Sequence, residues 1–192
     1  MNFWYSFYYF LIWPLQKLLF PCKMLGRENI PEGPAIVCAN HTALIDPAFL
    51  LLAFGRRDHL FFMGKAELFD IPVVGSIFRS VGAFPVNRGE TDIQSARTVM
   101  KHLKNGQKIM MFPEGTRVAD GETAEAKTGA VRFATKLNVP IVPVFLSGNK
   151  KLFRKSLLSI GKPFKLDPPT GKNYDPLAAK LMEHIHRLET EH

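Results

Sequence analysis

The chain has 192 residues, of which 46% are hydrophobic, and this is enough apolar material to bury a substantial core without disulfide bonds. Its two cysteines exclude a disulfide-stapled scaffold and suit a reducing cytoplasm, and the chain shows no repeats and no low-complexity tract. With 25 Lys and Arg against 17 Asp and Glu, its net charge of +8 favours anionic lipid headgroups or polyanionic ligands; because no nucleic-acid-binding motif is recognisable, we expect no nucleic-acid partner.

The N-terminal segment is aromatic and almost uncharged. The first 16 residues carry no charged side chain, and nine of the 22 aromatic residues, Trp4 and Trp13 included, fall within the first 20. Trp and Tyr favour the headgroup level of a bilayer. A spanning helix needs about 20 consecutive apolar residues, whereas this run meets Pro14 and Lys17 first. Since a signal peptide's basic start and cleavage site are missing, residues 1–24 are predicted to be a helical anchor in one leaflet; a core helix or an oligomer contact is the alternative.

A short apolar run over residues 35–38 predicts a buried strand that ends at His41. Asp46-Pro47 predicts a helix start, because Asp accepts bonds from the first free backbone N–H groups and Pro fits the first helical position. The loop between them can bring Asp46 back onto one ring nitrogen of His41, which leaves the other free to take a proton. A plain helix cap is the alternative role for Asp46, since Asp175-Pro176 begins the predicted last helix with the same dipeptide.

Two further strand ends carry charge. In residues 82–88, alternate side chains share a face, so Arg88 stands at the end of a small or apolar face. Residues 108–112 predict a buried strand that stops at Pro-Glu-Gly-Thr-Arg, residues 113–117. The glycine of this turn allows a ligand to approach the backbone, and Arg117 offers a planar fork for a phosphate. An ordinary turn and a solvated surface arginine are the structural alternatives.

Two segments repeat apolar residues at helical spacing. The first follows Asp92 as a cap and stops before Gly106, and the second begins at Asp175 and reaches Leu188. Strands that alternate with such helices predict an α/β fold. We expect a single domain over residues 25–192, with a mixed, partly parallel sheet flanked by helices and preceded by the N-terminal helical segment.

The last third of the chain holds a strand and a basic cluster. Residues 139–146 are apolar but interrupted by Pro140 and Pro143, which predicts an edge position or irregular pairing. Residues 162–172 are predicted to be a loop or an edge strand. The cluster interleaves apolar side chains with cations, which suits a membrane surface, and a solvated face is the alternative. Its cations are Lys150, Lys151, Arg154, Lys155, Lys162 and Lys165.

Taken in order, four blocks resemble the motifs of the glycerolipid acyltransferase family. They are His41 with Asp46, residues 82–88, residues 112–117 and residues 139–144. The His-x4-Asp pair alone is weak evidence, whereas the pair followed by Phe-Pro-Glu-Gly-Thr-Arg is highly specific. The likeness covers nearly the whole predicted domain, and the bacterial members that acylate 1-acyl-sn-glycerol 3-phosphate are the most similar.

The resemblance implies a role for each matching residue. His41 is expected to be the general base, oriented by Asp46. The phosphate of the acceptor is expected to be held by Lys65, at the family's Lys-x-Glu-Leu position, and by Arg88, Glu114, Gly115, Thr116 and Arg117. Acyl-donor binding, or packing near the site, is implied for Val139, Pro140, Ile141 and Pro143. Ala43 stands where many members have Ser, so the role of that hydroxyl cannot be transferred; Thr42 is a candidate replacement.

The resemblance also implies a reaction. An acyl group passes from acyl-coenzyme A or acyl carrier protein, as co-substrate, to the sn-2 hydroxyl of lysophosphatidic acid and gives phosphatidic acid. Neutral His41 deprotonates the hydroxyl, so no acyl-enzyme is required, and Cys38 is predicted to be a packed core thiol. The backbone at Gly115 and the helix start after Asp46 are candidate oxyanion donors. We expect no cofactor and no metal, and a location on the cytoplasmic face of the cell membrane, on anionic lipids.

The sequence is compatible with two other functions. The first is the same chemistry with another acceptor, either glycerol 3-phosphate or a lysophospholipid with a larger headgroup. The second is a non-catalytic peripheral protein that binds anionic lipid through the aromatic N-terminus and the basic cluster, although the intact His41 and Asp46 argue against it. The sequence leaves the acyl chain length and the choice of donor open.

Overall fold

Seven strands form one sheet in a computed structural model that describes residues 3–87, 92–119, 122, 124–148 and 150–190. Across the sheet their order is β1-β7-β6-β2-β5-β3-β4. The strands β6, β2, β5, β3 and β4 are parallel, β7 is antiparallel to β6, and β1 is parallel to β7. The predicted mixed, partly parallel sheet is therefore confirmed. The strands are β1 Cys22–Leu25, β2 Ala35–Ala39, β3 Leu60–Lys65, β4 Ala83–Val86, β5 Lys108–Met111, β6 Ile141–Leu146 and β7 Ser156–Ile160.

The described residues form six α-helices, together with short 3₁₀ turns over Arg27–Asn29 and Ala66–Phe69. The helices are α1 Phe3–Leu19, α2 Asp46–Phe54, α3 Val74–Ser80, α4 Ile93–Lys104, α5 Gly129–Leu137 and α6 Asp175–Arg187.

Apolar layers cover both faces of the sheet because successive side chains of a strand point to opposite sides. In β2, Ala35, Val37 and Ala39 pack into the layer that contains α2. Ile36 and Cys38 pack on the other side, in the layer formed with α4, α5 and α6. Cys38 is fully buried, and this burial raises the pKa of its thiol, so the prediction of a packed core thiol is confirmed.

The predicted edge position of the 139–146 strand is wrong, because β6 lies between β7 and β2. The backbone N–H of Ile141 donates to Phe164 O on the β7 side, and alternate residues of a strand share that direction. The missing N–H of Pro143 therefore also faces the β7 side. There Gly161 N donates to Pro143 O at 2.9 Å, but Pro143 has no N–H to return a bond, so the pairing is irregular at this residue, which is the alternative that the sequence predicted.

Several predicted boundaries agree with the structure. Asp92 caps α4, since its Oδ1 accepts a hydrogen bond from Ser95 N at 2.8 Å. Gly106 follows the helix end with a φ of 76°. Helix α6 begins at Asp175, and residues 162–172 form a loop that is bridged to β6.

The predicted N-terminal helix is confirmed as α1, which contacts the rest of the protein through few side chains. Tyr5 is buried: its hydroxyl lies 3.3 Å from Gly55 O, and its ring centroid lies 3.9 Å from that of His59. No helix in the described part of the chain is long and apolar enough to cross a bilayer. Large apolar side chains of α1 remain exposed, among them Phe3, Trp4, Phe7, Phe10 and Trp13.

Candidate active site

The site begins where the central strands end. We call the edge at which β2, β5 and β6 end the carboxyl edge. Asn40, just after β2, donates from Nδ2 to Leu146 O at 2.8 Å and accepts from Leu146 N at 2.7 Å. This side chain joins the ends of β2 and β6 as a backbone pair would. His41 is consequently directed away from the sheet, into the loop before α2.

His41 and Asp46 meet as the sequence predicted. His41 Nδ1 lies 2.9 Å from Asp46 Oδ2, and the backbone N–H groups of Thr42 and Ala43 donate to the same oxygen at 2.8 Å each. Because the carboxylate only accepts hydrogen bonds, Nδ1 carries the proton of this bond, and Nε2 is the ring nitrogen that Asp46 leaves available. The tight loop thus presents an oriented imidazole.

Asp46 does not cap its helix in the way that the sequence suggested. Ile45 is the N-cap residue of α2, and Asp46 is its first helical residue. The carboxylate points back to the preceding loop, where its relative exposure is 0%. Burial by itself raises the pKa of Asp46, but the hydrogen bond from His41, the charge of Lys150 and the Ala43 N–H outweigh it and lower this pKa below its ordinary value.

The imidazole is also held by the 112–118 segment. The Phe112 ring stacks on the His41 ring, with centroids 4.0 Å apart and planes 17° from parallel. Glu114 Oε2 accepts from His41 N at 2.7 Å, and Val118 N donates to His41 O at 2.8 Å. Both backbone groups of His41 are therefore bonded to one neighbouring segment, which fixes the position of the ring.

Glu114 is a buried carboxyl group with an unusual pKa. Burial raises its pKa to about 7, and the nearby charge of Asp46 adds to this effect, while the hydrogen bond from His41 N opposes it. Because the carboxyl is directed at the His41 backbone, its contact in this structure is with the loop that carries the base.

A cavity of about 390 Å³ opens beside His41 between the strand ends, α4 and α5. Its wall includes the apolar Met63, Val99 and Met110, and also the polar Lys127 and Thr128. A ligand with both an apolar and an anionic part fits such a lining. Among the described residues, no group of three or more His, Cys, Asp or Glu side chains is placed to hold a metal ion.

The predicted phosphate residues occupy different places. Gly115 lines the cavity, Thr116 and Arg117 are exposed, and Arg88 lies outside the described residues. Lys65 is an exposed side chain whose Nζ lies 3.0 Å from Glu67 Oε1. The role of each in phosphate binding therefore stays a prediction.

The residues of the last motif lie in the sheet. Val139 and Ile141 are buried in the core at the beginning of β6, away from His41, and Pro140 directly precedes the strand. Pro143 pairs in register with Cys38 of β2. This placement suits a packing role more directly than a contact with the acyl donor.

Both predicted oxyanion donors are already bonded within the fold. Gly115 N donates to Phe112 O at 3.0 Å, and at the start of α2 the N–H of Ala48 donates to Ile45 O at 3.0 Å. Pro47, between Asp46 and Ala48, has no N–H to offer.

Sequence reasoning missed three residues of the site: Asn40, Phe112 as a stacking partner, and Lys150. Lys150 was placed in the surface basic cluster, yet its side chain is only 2% exposed and its Nζ lies 2.9 Å from Asp46 Oδ1. One sequence signal was available, since Lys150 follows the end of β6 closely and the carboxyl ends of parallel strands meet at one edge.

Comparison with known proteins identifies relatives over most of the chain. An acyltransferase family model matches residues 22–147. The 1-acyl-sn-glycerol-3-phosphate acyltransferase of Bacillus subtilis is 34% identical over 180 residues, which cover 88% of this chain and 88% of that protein. A chloroplast protein of the same name from Arabidopsis thaliana is 32% identical over 145 residues, or 73% of this chain, and the match spans 39% of the plant protein.

A solved structure has the same fold. The crystal structure of the 1-acyl-sn-glycerophosphate (LPA) acyltransferase PlsC from Thermotoga maritima matches with a TM-score of 0.67 and 29% sequence identity. The match covers 89% of this chain and 73% of that one.

Proposed function

Because this chain belongs to the acyltransferase family, we propose that it transfers a fatty acyl group from an acyl thioester to the sn-2 hydroxyl of 1-acyl-sn-glycerol 3-phosphate. The product is phosphatidic acid, a precursor of phospholipids. The observation that carries the proposal is the hydrogen bond between His41 and Asp46 at the wall of a cavity with apolar and cationic lining. The names of the Bacillus and Thermotoga relatives, given above, support the choice of acceptor.

In the proposed reaction, His41 moves one proton twice. Nε2 takes the proton of the sn-2 hydroxyl while the hydroxyl oxygen attacks the thioester carbonyl carbon. The resulting tetrahedral intermediate collapses, the C–S bond breaks, and the imidazolium returns the proton to the departing thiolate. Asp46 holds the ring in the required tautomer and stabilises the imidazolium.

We place the phosphate of the acceptor at the start of α5. Lys127, Thr128 and Gly129 line the cavity there, and a helix N-terminus favours anions. A Cβ at Gly115 would lie 2.6 Å from Lys127 Cε, so Gly115 makes room for this lysine to run along the wall. Lys65, Arg88, Thr116 and Arg117 remain further candidates for the same phosphate.

We propose that α1 rests on the cytoplasmic face of the membrane. Phe3 is 72% exposed and Trp4 53% exposed, and Trp and Tyr suit the headgroup level of a bilayer. The proposal is supported by the exposed aromatic surface together with the exposed cations of the basic cluster, such as Lys151, Arg154 and Lys155, which attract anionic lipids.

The function is tested with the purified protein on vesicles that contain an anionic lipid. Acyl-coenzyme A or acyl carrier protein loaded with chains of several lengths serves as donor, and lysophosphatidic acid, glycerol 3-phosphate or lysophosphatidylcholine serves as acceptor. We expect thiol release that depends on lysophosphatidic acid and yields phosphatidic acid. Binding to vesicles without thiol release for any acceptor would overturn the proposal and favour a non-catalytic lipid-binding protein.

A further inference from the structure

Lys150 is a buried cation that the reaction described above does not use. Its Nζ lies 2.9 Å from Asp46 Oδ1, and it donates to Thr42 Oγ1 at 2.9 Å and to Ser147 O at 2.6 Å. Among the described residues Asp46 Oδ1 accepts no hydrogen bond, so Lys150 donates two hydrogen bonds, to Thr42 and Ser147, and meets Asp46 as an ion pair. Lys150 is therefore a fixed part of the loop cluster around Asp46.

The two oxygens of Asp46 receive different partners. Oδ2 accepts from His41 Nδ1 and from the backbone N–H groups of Thr42 and Ala43. Oδ1 faces Lys150. Because the carboxylate is fully buried, its ionised form depends on these partners, and a rotation of the carboxylate would break contacts on both sides at once.

We propose that Lys150 is a positioning residue for the acyl transfer: it holds Asp46 ionised and in the rotamer that orients His41, and it fixes the Thr42 hydroxyl in the same loop. This inference rests on the proposed function. It connects the loop after β6 to the base through a single side chain, and it gives Thr42 a structural role beside Ala43 in place of a catalytic one.

A second lysine–aspartate pair, in which the lysine is buried and the aspartate is partly exposed, serves as a control. Lys108 Nζ lies 2.6 Å from Asp58 Oδ1, and the Lys108 side chain is 7% exposed. Lys108 begins β5, so this pair lies at the opposite end of that strand from the His41 loop. Lys150→Met and Lys108→Met each remove one buried ammonium group and keep a chain of similar length.

The variants are compared for kcat and KM across pH on vesicles, together with their melting temperatures. We expect Lys150→Met to lower kcat by about 10- to 100-fold, because a misplaced orienting group weakens general-base catalysis. The KM for lysophosphatidic acid is expected to change by no more than about threefold. Lys108→Met is expected to lower the melting temperature but to keep kcat per folded molecule within about threefold of the wild type.

The pH profile separates positioning from loss of stability. The charged groups around His41 are Asp46, Lys150 and Glu114, with Lys127 on the wall of the same cavity. The charge of Lys150 is one of the causes that lower the pKa of Asp46, so its removal raises this pKa, and the acid limb of kcat/KM moves to higher pH in Lys150→Met. A wild-type profile and a kcat within twofold of wild type in folded Lys150→Met would overturn the inference. An inactive wild-type protein would instead overturn the proposed function.

If Lys150→Met fails to fold, amine labelling of the wild-type protein still tests the inference. Reductive methylation followed by peptide mass spectrometry reports which lysines are accessible in the native state. We expect Lys151 and Lys155, both exposed, to be modified while Lys150 stays protected until the protein unfolds. Modification of Lys150 at the rate of Lys151 would contradict its place against Asp46.

Discussion

The two edges of the sheet hold the same residue types but differ in what those residues do. At the carboxyl edge are His41, Asp46 and Lys150. At the opposite edge, where β3, β4 and β5 begin, are His59, Asp58 and Lys108, and we call it the amino edge. Both edges also border a cavity, of about 390 Å³ beside His41 and about 350 Å³ beside His59.

The difference is the partner of the carboxylate. At the carboxyl edge, Asp46 bonds to His41 Nδ1 and leaves Nε2 available. At the amino edge, Asp58 pairs with Lys108, and His59 Nε2 lies 3.0 Å from Val81 O, a carbonyl that can only accept. His59 therefore donates its Nε2 proton to Val81 O, whereas His41 can act as a base.

Packing strengthens this contrast. The His59 ring lies between those of Tyr5 and Phe61, with centroid distances of 3.9 and 4.4 Å, and its burial lowers the pKa of His59. The His41 ring has the Phe112 ring on one face and lines the cavity. A histidine beside an aspartate in the sequence is thus insufficient for a base; the free nitrogen must also face a substrate.

The largest expected effect separates the two aspartates. Asp46→Asn replaces the carboxylate with an amide, which no longer fixes the tautomer of the imidazole or balances the charge of the imidazolium. We therefore expect kcat to fall by about 10³-fold. Asp58→Asn weakens only a lysine contact and is expected to keep kcat within about threefold. Steady-state kinetics with lysophosphatidic acid and acyl-coenzyme A checks both variants. Equal losses in the two would remove the distinction between the edges.

The buried carboxyl of Glu114 should make the carboxyl edge sensitive to pH. Its pKa rises from 4.5 in the unfolded chain to about 7 in the folded protein, so the folded state favours the protonated form. The stabilisation that the protonated Glu114 contributes to the folded state is therefore fully present below pH 4.5 and is lost as pH rises through 7.

Glu114→Gln tests this sign, because Gln can still accept from His41 N but cannot ionise. Relative to wild type, we expect the variant to gain about 1–3 kcal/mol in unfolding free energy between pH 4.5 and 8. Urea unfolding at several pH values measures the difference. A difference that does not change with pH would show that Glu114 is ionised at little cost.

The third prediction separates two candidate cations for the phosphate. Lys127 lines the cavity, whereas Lys65 is exposed beside Glu67. Loss of one charge-assisted contact should raise KM for lysophosphatidic acid by about tenfold in Lys127→Met. Lys65→Met is expected to change it by no more than about threefold, because an exposed pair contributes little. The reverse order would favour the family-based prediction for Lys65 over the cavity geometry.

The smallest effect is expected at Ala43. Its backbone N–H donates to Asp46 Oδ2, and a Ser side chain leaves that bond intact. We therefore expect Ala43→Ser to keep kcat and KM within about twofold of wild type. A gain in kcat of tenfold or more would show that a hydroxyl at this position takes part in the reaction.

Local features of the fold were predictable from the sequence. Asp92 and Asp175 mark helix starts that short-range hydrogen bonds and Pro geometry determine, and the apolar runs before His41 and Pro113 are strands that end where the polar residues begin. The His41–Asp46 contact was also predictable, because five residues of loop suffice to close it.

Features that depend on distant parts of the chain were not predictable. Strand β6 is interior because β7 pairs with it on the side away from β2. No sequence signal indicated β7, which lies within the segment predicted to be a basic surface cluster. The sequence pattern assigned Lys150 to that surface cluster. In the fold, its side chain is buried against Asp46, which lies 104 residues earlier in the chain. Helix α5 begins at Gly129 after Thr128, whose side chain makes no capping hydrogen bond in the fold.

The central claim is that His41, and not the similar histidine of the other edge, is the base of an acyl transfer. It is tested most directly by thiol release from acyl-coenzyme A with lysophosphatidic acid, measured for folded His41→Ala and His59→Gln. We predict a loss of about 10³-fold in His41→Ala and a rate per folded molecule within about threefold of wild type in His59→Gln. Retained transfer in a folded His41→Ala protein would contradict the assignment.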